Sequence, residues 1–147
     1  MSFTAQMAQF FDEMGQGSMT GRIFGHLLIC QPAKQRAKAI QQATGASAGA
    51  VHGALKTFVA AGLVNRNSEA GSKTMWYEIA DDAFLTMLTA RLAMIKKLVQ
   101  LADLGLAEMP SGADTQRLEA MRSCYAHFEQ RFPAMIAEFK AQKERHE

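Results

Sequence analysis

The sequence predicts a mainly α-helical chain with one small β-hairpin near its middle and long helices toward both ends. Three observations carry this. Apolar residues recur at three- and four-residue steps along most of the 147 residues. Two short strand-like runs, 63–67 and 75–79, are separated by a polar, glycine-containing stretch. The last part of the chain holds two long helical stripes joined by a single turn signal at Pro110-Ser111-Gly112.

Apolar residues make up 48% of the chain, enough to build a core. No apolar run approaches the roughly 18–20 residues needed to span a bilayer, and the first residues lack the basic and apolar regions of a secretory signal. Two cysteines, Cys30 and Cys124, are too few for a disulfide framework in a chain this size. A cytoplasmic setting with no membrane contact is expected.

Each element follows from local signals. Met7, Phe10, Phe11 and Met14 place one face of a helix over 3–14, and Gly15-Gln16-Gly17 ends it. Ile23, Phe24, Leu27 and Leu28 mark a second helix that stops before Pro32. A third is expected from about Ala33 to Ala43, with Ala37 and Ile40 inward and Lys34, Arg36 and Lys38 mostly outward. In Thr44-Gly45-Ala46-Ser47, the glycine suits a left-handed position and Ser47 an N-cap. Val51, Ala54, Leu55 and Phe58 then form the buried stripe of a fourth helix over 48–61.

After the hairpin, Asp81 or Asp82 is expected to cap a helix reaching about Ala107, with Phe84, Leu88, Leu92, Ile95, Leu98 or Val99, and Ala102 inward. Asp114 can cap the last helix, in which Leu118, Met121, Tyr125, Phe128, Phe132, Met135 and Phe139 share a stripe. Pro133 is expected to kink or restart it. Three regions result: N-terminal helices at 1–32, a lobe at 33–80, and long C-terminal helices at 81–147.

The order helix, four-residue turn, helix and β-hairpin in the lobe is that of a winged helix-turn-helix, which binds duplex DNA. Charge agrees with it. Residues 21–80 carry seven basic and two acidic side chains, whereas 1–20 are net acidic and 81–147 nearly balanced. At 100° per residue with Val51 inward, the outward face of the fourth helix presents Gly49, His52, Gly53 and Lys56, with no acidic residue to repel phosphate. The glycines allow close backbone approach at a cost of about 1 kcal/mol each relative to Ala. Ser47 opens the helix where its dipole favours a phosphate, and His52 and Lys56 can reach base edges or phosphates. On the wing, Lys73 is the natural contact and Ser72 and Thr74 can add hydroxyl hydrogen bonds. Arg66 can reach phosphate or pair with Glu78; both readings stand.

Gly21-Arg22-Ile23-Phe24-Gly25-His26-Leu27-Leu28-Ile29-Cys30 followed by Pro32, then Thr44 through Lys56, closed by Ala61-Gly62-Leu63-Val64, resembles the MarR-like regulators. Within them the likeness is to the glycine-betaine-synthesis-regulator (GbsR-like) branch, and it is densest over 18–80. The resemblance implies a sequence-specific DNA-binding transcriptional regulator. Its terminal helices would interlock in a homodimer, which would act as a repressor on a pseudo-palindromic operator.

The long stripes of the last two helices exceed what one small lobe can cover, which points to dimerisation; a monomer with the stripes internal is the alternative. Ten methionines and nine phenylalanines suit either an irregular core or an effector pocket near Phe24, Leu28, Met87 and Met94. Cys124 and His127, and likewise His26 and Cys30, have the spacing of two metal ligands, but no third ligand completes either pair. Each is read as a core cysteine beside a partly exposed histidine, and no metal or cofactor is expected. A phosphate loop, a nucleophile elbow and a catalytic carboxylate pair are all missing, which argues against an enzyme. The reading that competes with a DNA-binding regulator is a winged-helix protein–protein adaptor with weak or no DNA binding; a redox or metal sensor using Cys30 or Cys124 ranks third.

Overall fold

A computed structural model describes residues 1–146. Six helices and one hairpin follow in the order α1 (Phe3–Glu13), α2 (Ser18–Ile29), α3 (Ala37–Thr44), α4 (Ala48–Ala60), β1 (Val64–Ser68), β2 (Met75–Ile79), α5 (Ala83–Glu108) and α6 (Gln116–Arg145). The chain divides into two compact units, Met1–Phe84 and Leu85–Glu147.

In the first unit α1 packs along α2, and α2 against α3 and α4. The close approach of α1 is set by glycine. A Cβ added at Gly21 would lie 2.6 Å from the Phe11 Cβ and press on the Met7 carbonyl oxygen, and one at Gly25 would lie 3.0 Å from the Met7 Cβ. Small residues at i and i+4 remove the side chains that would hold the two backbones apart.

One core joins all four helices. Ile23, Ile40 and Val51 are wholly inaccessible, and Phe11, Phe24, Leu55 and Phe58 complete it. Each such side chain stabilises the fold by about 1.5–3 kcal/mol relative to exposure. Three rings form a continuous file from α1 to α4: Phe11–Phe24 centroids are 5.7 Å apart and Phe24–Phe58 5.2 Å. Phe24, expected beside an effector pocket, is thus wedged between two rings and 3% exposed.

The turn between α3 and α4 forms as its residues dictate. Gly45 takes φ +74° at the end of α3, and the Ser47 hydroxyl accepts from the Ala50 N–H at 3.1 Å. Antiparallel β1 and β2 pair Val64 with Ile79 and Arg66 with Tyr77. Val64 is the only buried residue of β1, and every residue of β2 is half-buried.

The third helix departs from expectation: it begins at Ala37, not Ala33. Gln35 instead pairs with β2, its N–H donating to the Tyr77 carbonyl and its carbonyl accepting from the Tyr77 N–H, both at 2.8 Å. These bonds hold Gln35 in a bridge to β2, so Lys34 and Arg36 precede the helix instead of riding on it.

In the second unit α5 and α6 are joined by a turn at 109–115. They are tied there by an Arg122–Asp103 ion pair and by Leu118 lying where a Cβ on Gly105 would meet it at 3.1 Å. Asp114 caps as expected, accepting from the Gln116 N–H at 3.0 Å. α6 runs through Pro133 without interruption, so the expected restart does not occur. On α5, Leu92, Val99 and Ala102 are buried as expected, but Leu88 is 62% exposed, as is Phe84 at 54%. Helical spacing gave these two a common stripe, but both side chains are exposed. Cys124, read as a core cysteine, is exposed; Cys30 is the buried one.

Candidate nucleic-acid interface

Helix α4 buries Val51, Ala54, Leu55 and Phe58, which turns Gly49, His52, Gly53 and Lys56 outward, and all four are exposed. Nothing outside the helix's own backbone lies within 4 Å of where a Cβ would stand on Gly49 or Gly53. The helix therefore offers solvent a flat, acid-free surface at its first two turns. The Ser47 hydroxyl is already engaged as the cap, while the first N–H groups of α4 point outward beside it.

Between α4 and the hairpin runs an open groove of about 530 Å³. His52 and Lys56 edge it from the helix and Arg66 and Tyr77 from the strands, with Leu55, Val59 and Ala60 completing the lining. The strand register decides how Arg66 is used. Arg66 lies opposite Tyr77, while Glu78 lies opposite Asn65, and neighbouring positions on a strand face opposite sides. Arg66 is exposed and forms no ion pair with Glu78; the one salt bridge among the described residues is Arg122–Asp103. Of the two readings of Arg66, the pair with Glu78 is not formed.

At the wing tip Gly71 takes φ +77°, the Ser72 N–H donates to the Glu69 carbonyl at 3.0 Å, and the Ser72 hydroxyl oxygen accepts from the Thr74 N–H at 3.1 Å. Ser72 thus shapes the turn that carries exposed Lys73, and Thr74 is half-buried. A second cleft of about 300 Å³ gathers Arg36, Lys38, Thr74, Met75 and Tyr77, with Ala37. Sequence reasoning had not placed Arg36, Lys38 or Tyr77 at the interface. The Lys34-Gln35-Arg36-Ala37-Lys38 run held the signal, but a helix starting at Ala33 gave it no reason to meet the wing.

The remaining chemistry-bearing residues lie elsewhere. His26 is half-buried, with Nε2 3.4 Å from the Gln35 Oε1. Burial pushes the neighbouring Cys30 thiol above its ordinary value. His127 Nδ1 sits 3.1 Å from an Arg131 guanidinium nitrogen. Among the described residues no three His, Cys, Asp or Glu side chains gather to hold a metal ion. Nor is any helix long and apolar enough to cross a membrane. Of the candidate effector residues, Leu28 is half-buried in the first unit, while Met87 and Met94 on α5 are 39% and 49% exposed.

Residues 82–142, which contain most of α5 and α6, match a family model described as MmpR5-like MarR family transcriptional regulator. The HTH-type transcriptional regulator MmpR5 of Mycobacterium tuberculosis is 28% identical over 131 residues, covering 88% of this chain and 79% of the relative. A crystal structure described as that of a transcriptional regulator superposes with a TM-score of 0.81 at 25% identity, covering 95% of this chain and 96% of the other. Fold and likeness together make the chain similar to MarR-type winged-helix transcriptional regulators.

Proposed function

We propose that the chain is a cytoplasmic, homodimeric, sequence-specific repressor that lays α4 in the major groove of a pseudo-palindromic operator and its wing against the flanking minor groove. The observation that carries this is the acid-free groove between α4 and the hairpin, edged by His52, Lys56 and Arg66. Two elements lodged in adjacent grooves of a duplex must straddle the sugar-phosphate strand that separates them. Lys56 and Arg66 are placed to neutralise that strand, and Lys73 reaches the next phosphates from the tip. The N-terminal half of α4, with Ser47, Gly49 and Gly53, offers backbone and small side chains to the bases. Direct readout is therefore sparse, and DNA shape supplies much of the specificity.

The dimer is supported by α6. It spans 30 residues yet has none buried, and Phe128, Met135 and Phe139 are each about half exposed (47%, 57% and 53%). A second copy of the same face covers such a surface, and two-fold symmetry then sets two α4 helices about 34–36 Å apart, one duplex turn. An apolar effector would be sought at Met87 and Met94. The GbsR-like branch rests on the likeness over 18–80, whereas the matched family model lies on 82–142.

Three cationic side chains per protomer predict a salt slope of log K near about −5 for the dimer, against roughly −3 for one lobe. Titration against the chain's own upstream duplex should lose roughly a thousandfold in affinity between 50 and 200 mM salt, by order of magnitude. Undetectable binding with no salt dependence would leave the protein–protein adaptor in its place.

A further inference from the structure

The wing is a two-stranded ribbon, and such ribbons are marginal in water unless something fixes them. At its base, Val64 and Ile79 pair beside the core, and the Ala80 N–H donates to the Leu63 carbonyl at 2.9 Å. One attachment at the base leaves a hinge. Lys73 lies six residues beyond Ile79, about 20 Å along an extended strand, so a small rotation at the base becomes a large displacement of the tip.

The second attachment is Gln35. It is a buried polar residue, 8% exposed, and its backbone pairs both ways with Tyr77, two residues up β2 from the base. Its side chain is engaged at both ends. The Nε2 donates to the Pro32 carbonyl at 2.8 Å. Because that carbonyl can only accept, the amide orientation is settled, and Oε1 faces the Nε2 of His26 on α2 at 3.4 Å. The Cys30 thiol fixes the start of the same segment, donating to the Leu27 and Ala33 carbonyls at 3.6 and 3.5 Å. Tyr77, the residue Gln35 holds, lines both the groove facing α4 and the cleft with Arg36 and Lys38.

We propose that Gln35 is a positioning residue for the wing: its buried amide locks the single-residue bridge between Gln35 and Tyr77 of β2 and so fixes where Arg66 and Lys73 stand relative to α4. Two attachment points define a direction where one defines only a pivot. Through His26 the same amide ties the wing to the last turn of α2, so a displacement of α2 is delivered to the wing tip and not absorbed by the loop. The consequence for DNA rests on the function proposed above; the positioning itself does not.

The test uses the full-length protein with Gln35→Met, which keeps the side-chain length and the backbone pairing but removes both amide contacts. Hydrogen exchange without DNA should show at least a tenfold loss of protection at Tyr77 and the hairpin amides, with Val51 to Phe58 unchanged. Unchanged wing protection, or an equal loss across α4 and the wing, would overturn the proposal. In DNA titrations Lys73→Ala should lower the salt slope by about 1 per protomer in the wild type and by less than half of that beside Gln35→Met. Lys56→Ala should keep its full effect in both. An equal effect of Lys73→Ala in the two backgrounds would also overturn it. Should Gln35→Met fail to fold, His26→Leu leaves the donor to Pro32 in place and removes the partner of Oε1; it should give the same pattern at smaller amplitude, and wild-type protection there sinks the idea. A wild-type protein that binds no duplex would remove the DNA-binding function while the exchange experiment still decides Gln35.

Discussion

Replacing Gly53 by Ala separates what the outer face of α4 does for the fold from what it does for DNA. Gly53 sits inside a regular helix, exposed, with no atom beyond the helix's own backbone within 4 Å of an added Cβ. The methyl group therefore meets no steric resistance, and the substitution recovers the helix propensity lost to glycine, about 1 kcal/mol. In a chain of this size that corresponds to a rise in melting temperature of about 2–4 °C. In the proposed complex the same methyl would stand where helix backbone meets the groove. Displacing a close-fitted surface by one methyl costs about 1–3 kcal/mol, which is roughly 5- to 150-fold in Kd. Thermal unfolding followed by circular dichroism gives the first quantity and fluorescence anisotropy on a labelled operator the second. Gly45→Ala is the control: its φ of +74° makes that change destabilising by conformation alone, about 1 kcal/mol. A Gly53→Ala protein that melts higher and binds DNA as well as wild type would refute the placement of this face in the groove. One that melts lower would refute the packing argument.

Gly21→Ala should destabilise despite its better helix propensity, because the new Cβ presses on the Met7 backbone carbonyl and the Phe11 Cβ; a loss of about 1–3 kcal/mol by urea denaturation is expected, and a gain would contradict the seam. Ser47→Ala removes the bond to the Ala50 N–H and should cost about 1 kcal/mol, again read by denaturation. At neutral pH a thiol reagent should modify exposed Cys124 quickly and buried Cys30 slowly; equal rates would count against the burial. Since burial raises the Cys30 thiol above 9.0, the folded chain holds that proton more tightly than the unfolded one. Its contribution is intact below pH 9.0 and declines as pH rises beyond it. The stability advantage of wild type over Cys30→Ala should accordingly narrow above pH 9.0.

Elements whose causes are local were legible in the sequence. Gly45 and Ser47 announced the turn and the cap, and the Val51, Ala54, Leu55 and Phe58 stripe fixed which face of α4 is free. The start of α3 was not legible, because Lys34, Gln35 and Arg36 have good helix propensity and only the distant Tyr77 draws Gln35 into a bridge. Tyr77 itself reads as one residue of an alternating strand, and nothing nearby in sequence says that it faces Lys56 and Arg66. Periodicity also named Phe84 and Leu88 as a stripe without saying what would cover it. A helical repeat tells which side chains face together, and their cover can lie outside the chain. The unbroken passage of α6 through Pro133 shows the converse: one missing N–H does not end a helix that is extended on both sides.

The file of rings from Phe11 through Phe24 to Phe58 has a practical consequence for genetics. It makes the first helix and the proposed DNA-facing helix parts of one packed core. A substitution at Phe11, or a deletion reaching into α1, would loosen the seat of Phe58 and so the bearing of α4. In a screen that scores only operator occupancy, such variants would be indistinguishable from lost DNA contacts. Melting behaviour separates the two classes: lesions in the ring file lower both stability and binding, and lesions at Lys56 or Lys73 lower binding alone.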